Sequence, residues 1–154
     1  MILRTVFFLW GSLMLWSCGD RHFYEEQRLI NAAEWSYADT LLYQVNIEDT
    51  LARYDIGMQI EHGTGFPFQN LYVRIITIFP DGQTVAQTLP IDLADHTGIW
   101  YGDCGNQDCS VKVQLQNNAR FDRMGNHSFK IIQYMREDPI KEVEGITLFI
   151  DKKA

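Results

Sequence analysis

A single antiparallel β-sandwich of about eight strands, an all-β fold, follows from three features of the chain. Apolar and polar residues alternate from Trp35 onward, turn residues cut the alternation into short runs, and no long amphipathic helical stripe occurs. Side chains on a strand point to opposite faces in turn, so such alternation marks strands with one buried face. Tyr43, Val45 and Ile47 form the first clear run, and Tyr54, Ile56, Met58 and Ile60 the second, before His62-Gly63-Thr64-Gly65 breaks the pattern. Leu71 to Phe79 is the most hydrophobic stretch and reads as a central strand. Pro80-Asp81-Gly82 supplies a turn, and Thr84 to Leu93 follows as a strand whose Pro90 belongs at an edge or bend. Ile99 to Gly102, Val111 to Leu115, Phe129 to Met135 and Ile146 to Ile150 complete the set, with a helical turn expected over Arg120 to Gly125.

The sandwich is expected over residues 35–154, and what precedes it reads differently. Arg4 is followed by an apolar run from Thr5 to Trp16 and then Leu15-Trp16-Ser17-Cys18. A basic start, a short apolar core and small residues at the cut are the parts of a secretory signal. About twelve apolar residues span only ~18 Å as a helix, short of the ~30 Å hydrocarbon core, so residues 1–17 read as a cleaved signal peptide. Leu-x-Ser-Cys resembles the lipobox of bacterial lipoproteins. There the thiol receives a diacylglycerol, the peptide is cut just before it, and the freed amine takes a further acyl chain such as palmitate. Cys18 is thus the expected lipidation site, and two or three acyl chains hold a protein to a membrane far better than one. Residues 18–34 read as a lipidated N-terminus and polar tether, with a short helix conceivable over Glu25 to Ala33.

The formal net charge is −7, and becomes −8 once the signal and its Arg4 are removed. An acidic chain argues against nucleic acid as a partner and against electrostatic adhesion to anionic lipid. Membrane attachment must then come from the lipid on Cys18. Of three cysteines, a lipidated Cys18 leaves Cys104 and Cys109 as an even pair around Gly105-Asn106-Gln107-Asp108, a turn-rich loop. A disulfide closing so small a ring stabilises the fold by only about 2 kcal/mol, so its expected role is to fix loop shape. The rival reading is a metal site, but this spacing has no second cysteine pair and no histidine at motif distance.

Chemistry is otherwise sparse. Ser36, Ser110 and Ser128 lie outside any nucleophile-elbow motif, and Ser128 beside His127 would point to the opposite strand face. His22, His62, His96 and His127 have no metal-ligand spacing, and Asp103, Asn106 and Asp108 do not match a calcium loop. No catalytic residue, metal site or cofactor is therefore expected, although two converging carboxylates would make a hydrolase. Trp35, Tyr37, Trp100 and Tyr101 are either core filling or, for Trp100 and Tyr101, a sugar-stacking or protein-contact surface.

The lipobox cysteine, the early Trp35, the strand ending in Phe79-Pro80-Asp81-Gly82, the Ile99-Trp100 pair, Gly125 to Ile131, Met135-Arg136 and the closing Gly145-Ile146 strand together resemble the GldH-type gliding-motility lipoproteins of Bacteroidetes. The likeness runs through nearly all of the chain after Cys18; the Cys104/Cys109 loop stands outside it. It implies a non-enzymatic lipoprotein of the cell envelope, associated with the gliding and type IX secretion machinery, in gliding and non-gliding members of the phylum alike. Gly19-Asp20-Arg21-His22 lacks the acidic run associated with surface export, which favours an outer-membrane anchor with the domain facing the periplasm. The alternative is a lipid-anchored glycan-binding module using Trp100 and Tyr101.

Overall fold

Residues 22–153 are described by a computed structural model, in which alternation becomes strand after strand. The strands are β1 (Tyr24–Leu29), β2 (Glu34–Trp35), β3 (Leu41–Ile47), β4 (Tyr54–Gly63), β5 (Asn70–Ile78), β6 (Thr84–Asp92), β7 (Asp103–Cys104), β8 (Asp108–Ala119), β9 (Gly125–Gln133), β10 (Ile140–Lys141) and β11 (Val143–Lys152). One sheet runs β1-β11-β4-β8-β7 and the other β3-β9-β5-β6, while β2 and β10 form a two-residue ladder. Every pairing is antiparallel. The expected β-sandwich is therefore the observed fold.

β3 shows how the pattern acts. Leu41, Tyr43, Val45 and Ile47 are buried while Leu42, Gln44 and Asn46 between them are exposed. The inner faces of β4, β9 and β11 meet this row with Met58, Ile60, Ile131, Ile146 and Leu148, all essentially inaccessible. Each such side chain contributes about 1.5–3 kcal/mol by leaving water. Two polar tips within the core find partners: the Tyr43 hydroxyl donates to the Ile146 carbonyl across the sandwich at 2.7 Å, and the buried Trp35 indole donates to the Asp39 carbonyl at 2.8 Å. β5 lies between β9 and β6, the interior position its hydrophobicity implies.

The N-terminal boundary differs from expectation. Residues 24–29, assigned to a tether, form β1 along the whole inner half of β11, from Tyr24 opposite Ile150 to Leu29 opposite Gly145. Asn31–Ala33 is a single 3₁₀ turn. The reason lies in which residues face inward. Tyr24, Glu26 and Arg28 oppose Ile150, Leu148 and Ile146, and charges pointing inward from an edge strand hide the apolar alternation while guarding the edge. Arg28 pairs with Glu26 at 2.5 Å, lies 6.0 Å from the Tyr43 ring centre, and donates from Nε to the Leu42 carbonyl of β3 at 3.1 Å. These contacts seal the edge where β1 faces β3. Two smaller expectations also change. Residues 120–124 are a non-helical crossover, and Ile99 to Gly102 keeps a strand-like contact only at the isolated bridge from Trp100 to Ala94. Residues 1–17, where a signal peptide is expected, and Cys18 lie outside the described residues.

On the outer face of the larger sheet, Phe149 of β11 covers Gly57 of β4, its cross-strand partner. A Cβ at position 57 would fall 2.2 Å from the Phe149 ring, so only glycine allows the ring to lie flat between His22, 5.0 Å away, and Lys112, 6.0 Å away. Gly57→Ala should therefore lower stability by about 1–2 kcal/mol in denaturant unfolding, because the ring must swing off the sheet. In a Phe149→Ala background most of that loss should disappear; an undiminished cost there would assign the effect to the backbone instead.

Candidate functional site

The edge opposite β1 and β3 is unsealed. There β6 of the smaller sheet faces β8 of the larger, and burial falls away along both strands. On β6 the inward series runs from Ile91, buried, through Leu89, half-buried, to Val85, which is 57% exposed. On β8 it runs from Val111, buried, to Val113 and Leu115, half-buried. The second half of β5 follows, with Ile75 and Thr77 only partly covered. Between the strands lies a cleft of about 460 Å³, continued by a smaller hollow of about 90 Å³. Its floor is Ile56 and Phe129, its walls carry Thr77, Gln87 and Gln116, and its wide end lies between Phe79 and Phe121.

Three properties define what this cleft can hold. The floor is apolar, while the walls offer amide and hydroxyl groups able to donate and accept. The long flanking strands each present an unpaired backbone edge: β6 pairs only with β5, and beyond Cys109 and Ser110 β8 pairs only with β4, among the described residues. Neither edge is guarded by charge as free edges usually are, since residues 83–91 contain none and 110–119 only Lys112. At the wide end Arg123 pairs with Asp81, lies 5.9 Å from the Phe79 ring centre and donates to Gln83 at 3.4 Å. Arg120 donates to the Thr50 carbonyl at 3.3 Å. Asp122 is the one carboxylate in the lining, so the cleft does not bring together the two acids that glycoside hydrolysis requires.

The residues singled out by sequence lie elsewhere. Cys104 and Cys109 are joined by a disulfide across the β7–β8 pair, their Cα atoms 4.1 Å apart at directly opposed positions. The bridge pins the 105–108 turn, where the Gly105 amide donates to Asp108, and Gln107 accepts from the Thr64 amide at 2.7 Å. Gly102, at φ +81°, enters this hairpin where a Cβ would strike the Ser110 carbonyl at 2.2 Å. The Trp100 and His62 rings meet edge to face, their centres 4.7 Å apart, beside Phe66 and against the core, whereas Tyr101 remains exposed. The two rings do not share a stacking platform. His22 contacts Asp151 at 2.6 Å, and His96 is exposed on a loop that Asp95 organises by accepting from Thr97 and Ile99 amides. No group of three metal-ligating side chains occurs among the described residues. The cleft residues escaped the sequence reading; their one signal is the absence of charge from two successive alternating runs that prove to be edges.

Comparison with known proteins finds similar sequences along most of the chain. The family model described as GldH lipoprotein matches residues 22–150. A protein of Christiangramia forsetii, named gliding motility lipoprotein GldH homolog, is 27% identical over 144 residues, covering 91% of this chain and 88% of its own. The gliding motility lipoprotein GldH of Flavobacterium johnsoniae is 22% identical over 143 residues, covering 90% and 88% respectively.

Two buried histidines predict an acid sensitivity of the domain. His62 and His127 are fully inaccessible, and each has a buried Nε2 without a partner. Nδ1 of His62 meets the Gly63 carbonyl at 2.9 Å, and Nδ1 of His127 meets that of Gly125 at 3.1 Å. With Nδ1 carrying the proton, each ring is neutral, and burial holds both below the ordinary histidine range. The unfolded chain takes up those protons near pH 6.5, so stability is full above that value and falls as the pH drops toward the lower folded values. Thermal unfolding should show a decline beginning below about pH 6.5, before the carboxylates Asp49, Asp55 and Asp95 begin theirs near about pH 4. His62→Phe with His127→Phe should remove the first decline and leave the second; an unchanged profile would exclude these rings as its source.

Proposed function

The chain belongs to the GldH lipoprotein family, and on that footing we propose that it is a non-enzymatic accessory protein of the cell envelope. Cys18 carries the lipid that anchors it, in the outer membrane with the sandwich facing the periplasm, and its partners are envelope proteins of the gliding and type IX secretion machinery. The observation that carries a binding role is the unsealed edge between β6 and β8. The occupant that suits it is an extended segment of a partner protein with an apolar residue at every second position. Its backbone would continue either sheet through the free edge of β6 or β8, and its apolar side chains would settle on Ile56 and Phe129. Strand addition of this kind draws affinity from main-chain hydrogen bonds and specificity from the pockets under alternate side chains. Anchoring in one membrane raises the effective concentration of each partner for the other, so a modest interface suffices. A glycan platform at Trp100 and Tyr101 has no comparable support, since Trp100 packs edge-on against His62.

Val85 offers a clean test, because it lines the cleft yet is exposed enough for the fold to tolerate a change. A photo-crosslinking residue at Val85 or Gln116 of the full chain, in its native membrane, should join one and the same envelope protein. The same probe at Thr88, on the outer face of β6, should not. Val85→Arg should cut that adduct at least about tenfold, the equivalent of about 1.4 kcal/mol, and should fail to restore spreading or secretion in a deletion strain at normal protein level. Adducts equally abundant from Thr88, or a Val85→Arg variant that restores both functions fully, would remove the cleft from the function. Separately, Cys18→Ala should shift the protein out of the membrane fraction or stall its maturation; a variant still acylated and sedimenting with membranes would end the anchoring account.

A further inference from the structure

Both described termini leave the sandwich at one end, together with loops 48–53, 79–83 and 120–124. Contacts knit this end together. His22 meets Asp151, Lys152 meets Asp49 at 2.8 Å, and the rings of Phe23, Tyr54 and Phe121 follow one another at 5.5 and 5.2 Å. From it project three apolar side chains with little to cover them: Leu51, 84% exposed, Met124, 67%, and Phe23, 42%.

Charge is divided unequally between the two ends. At the end just described, residues 22–23, 48–55, 79–83, 119–124 and 151–153 carry five cations against six carboxylates. Most are matched in pairs: Lys152 with Asp49, Lys153 with Asp55, Arg123 with Asp81 and Arg120 with Asp122. At the opposite end, residues 29–40, 92–109 and 134–145 carry ten carboxylates against only Arg136 and Lys141. Crowding there is strong enough that Glu144, desolvated and beside Asp108, is held above the usual carboxylate range. Exposed apolar residues occur at that end too, Ile99 among them, so exposure alone does not distinguish the ends. Charge and the point of attachment do.

We infer that the end formed by loops 48–53 and 120–124 rests on the bilayer surface, with Leu51, Met124 and Phe23 in the headgroup–acyl boundary and the acidic end directed away. This rests on the reading of Cys18 as the lipid-bearing residue. From Cys18 to His22 the chain reaches at most ~14 Å, which keeps this end at the membrane. Anionic headgroups repel ten clustered carboxylates and leave a nearly neutral end undisturbed. The contact is apolar, made by side chains at the depth where amphipathic surfaces settle, and is therefore insensitive to salt.

The full chain, matured as a lipoprotein and reconstituted into phosphatidylcholine vesicles with brominated acyl chains, tests the orientation. Tryptophan is introduced by Leu51→Trp, Met124→Trp or, at the far end, Ile99→Trp, and the parent protein supplies the background from Trp35 and Trp100. Leu51→Trp and Met124→Trp should each lose emission against unbrominated vesicles, equally at low and high salt, while Ile99→Trp keeps its emission. Loss at Ile99→Trp, equal loss at all three positions, or no loss in protein that floats with the vesicles would overturn the orientation and leave the anchor standing. Protein that fails to float with the vesicles would overturn the reading of Cys18 and this inference together.

Discussion

Arg28 lies over the ring of Tyr43 while the Tyr43 hydroxyl reaches the Ile146 carbonyl, and through these contacts β1, β3 and β11 are held as one edge. A sandwich needs such an agreement where its two sheets meet, because neither sheet's inner face is stable alone in water. The opposite edge has no equivalent. β6 and β8 draw apart, Val85 and Leu115 remain partly wet, and a cleft is left whose walls are amides and whose floor is core. One edge is thus closed by a charged strand, while the strands of the other carry almost no charge.

How far these features can be read from the chain depends on what each strand places on its inner face. β3, β4 and β11 present apolar residues inward at nearly every second position, and β9 does so at Phe129 and Ile131 between the buried His127 and Gln133, so their existence follows largely from periodicity. β1 does not, because its inward positions are Tyr24, Glu26 and Arg28, a polar set that reads as tether. β2, β7 and β10 are two residues long, too short to have a period. The Cys104–Cys109 bridge was legible because both partners flank one turn. The cleft was not, because it arises where β6 and β8, distant in sequence and in different sheets, fall opposite one another.

Among the described residues the domain's titratable side chains are mostly engaged with their own neighbours. Its buried histidines are locked by backbone carbonyls and aromatic neighbours, with Phe79 and Phe121 flanking His127 and Phe66 and Trp100 flanking His62. Ten of its carboxylates gather at one end, and most of those at the other pair with cations. What remains available is a pair of unpaired backbone edges over an apolar floor, a surface suited to a polypeptide.

The placement of β1 bears on how such a protein carries load. β1 starts at the end where the described chain begins and runs the length of its ladder with β11, six residues in register from Tyr24 to Leu29. A pull on the chain that precedes Tyr24, against a load held at the far edge, acts along this strand, parallel to its neighbours and across its hydrogen bonds. Strands pulled in that direction must slide, so all rungs of the ladder resist together, whereas a perpendicular pull opens them one at a time. The edge strand that closes the sandwich is thus also a shear joint, and the force at which β1 parts from β11 is set by the whole ladder and not by its first rung.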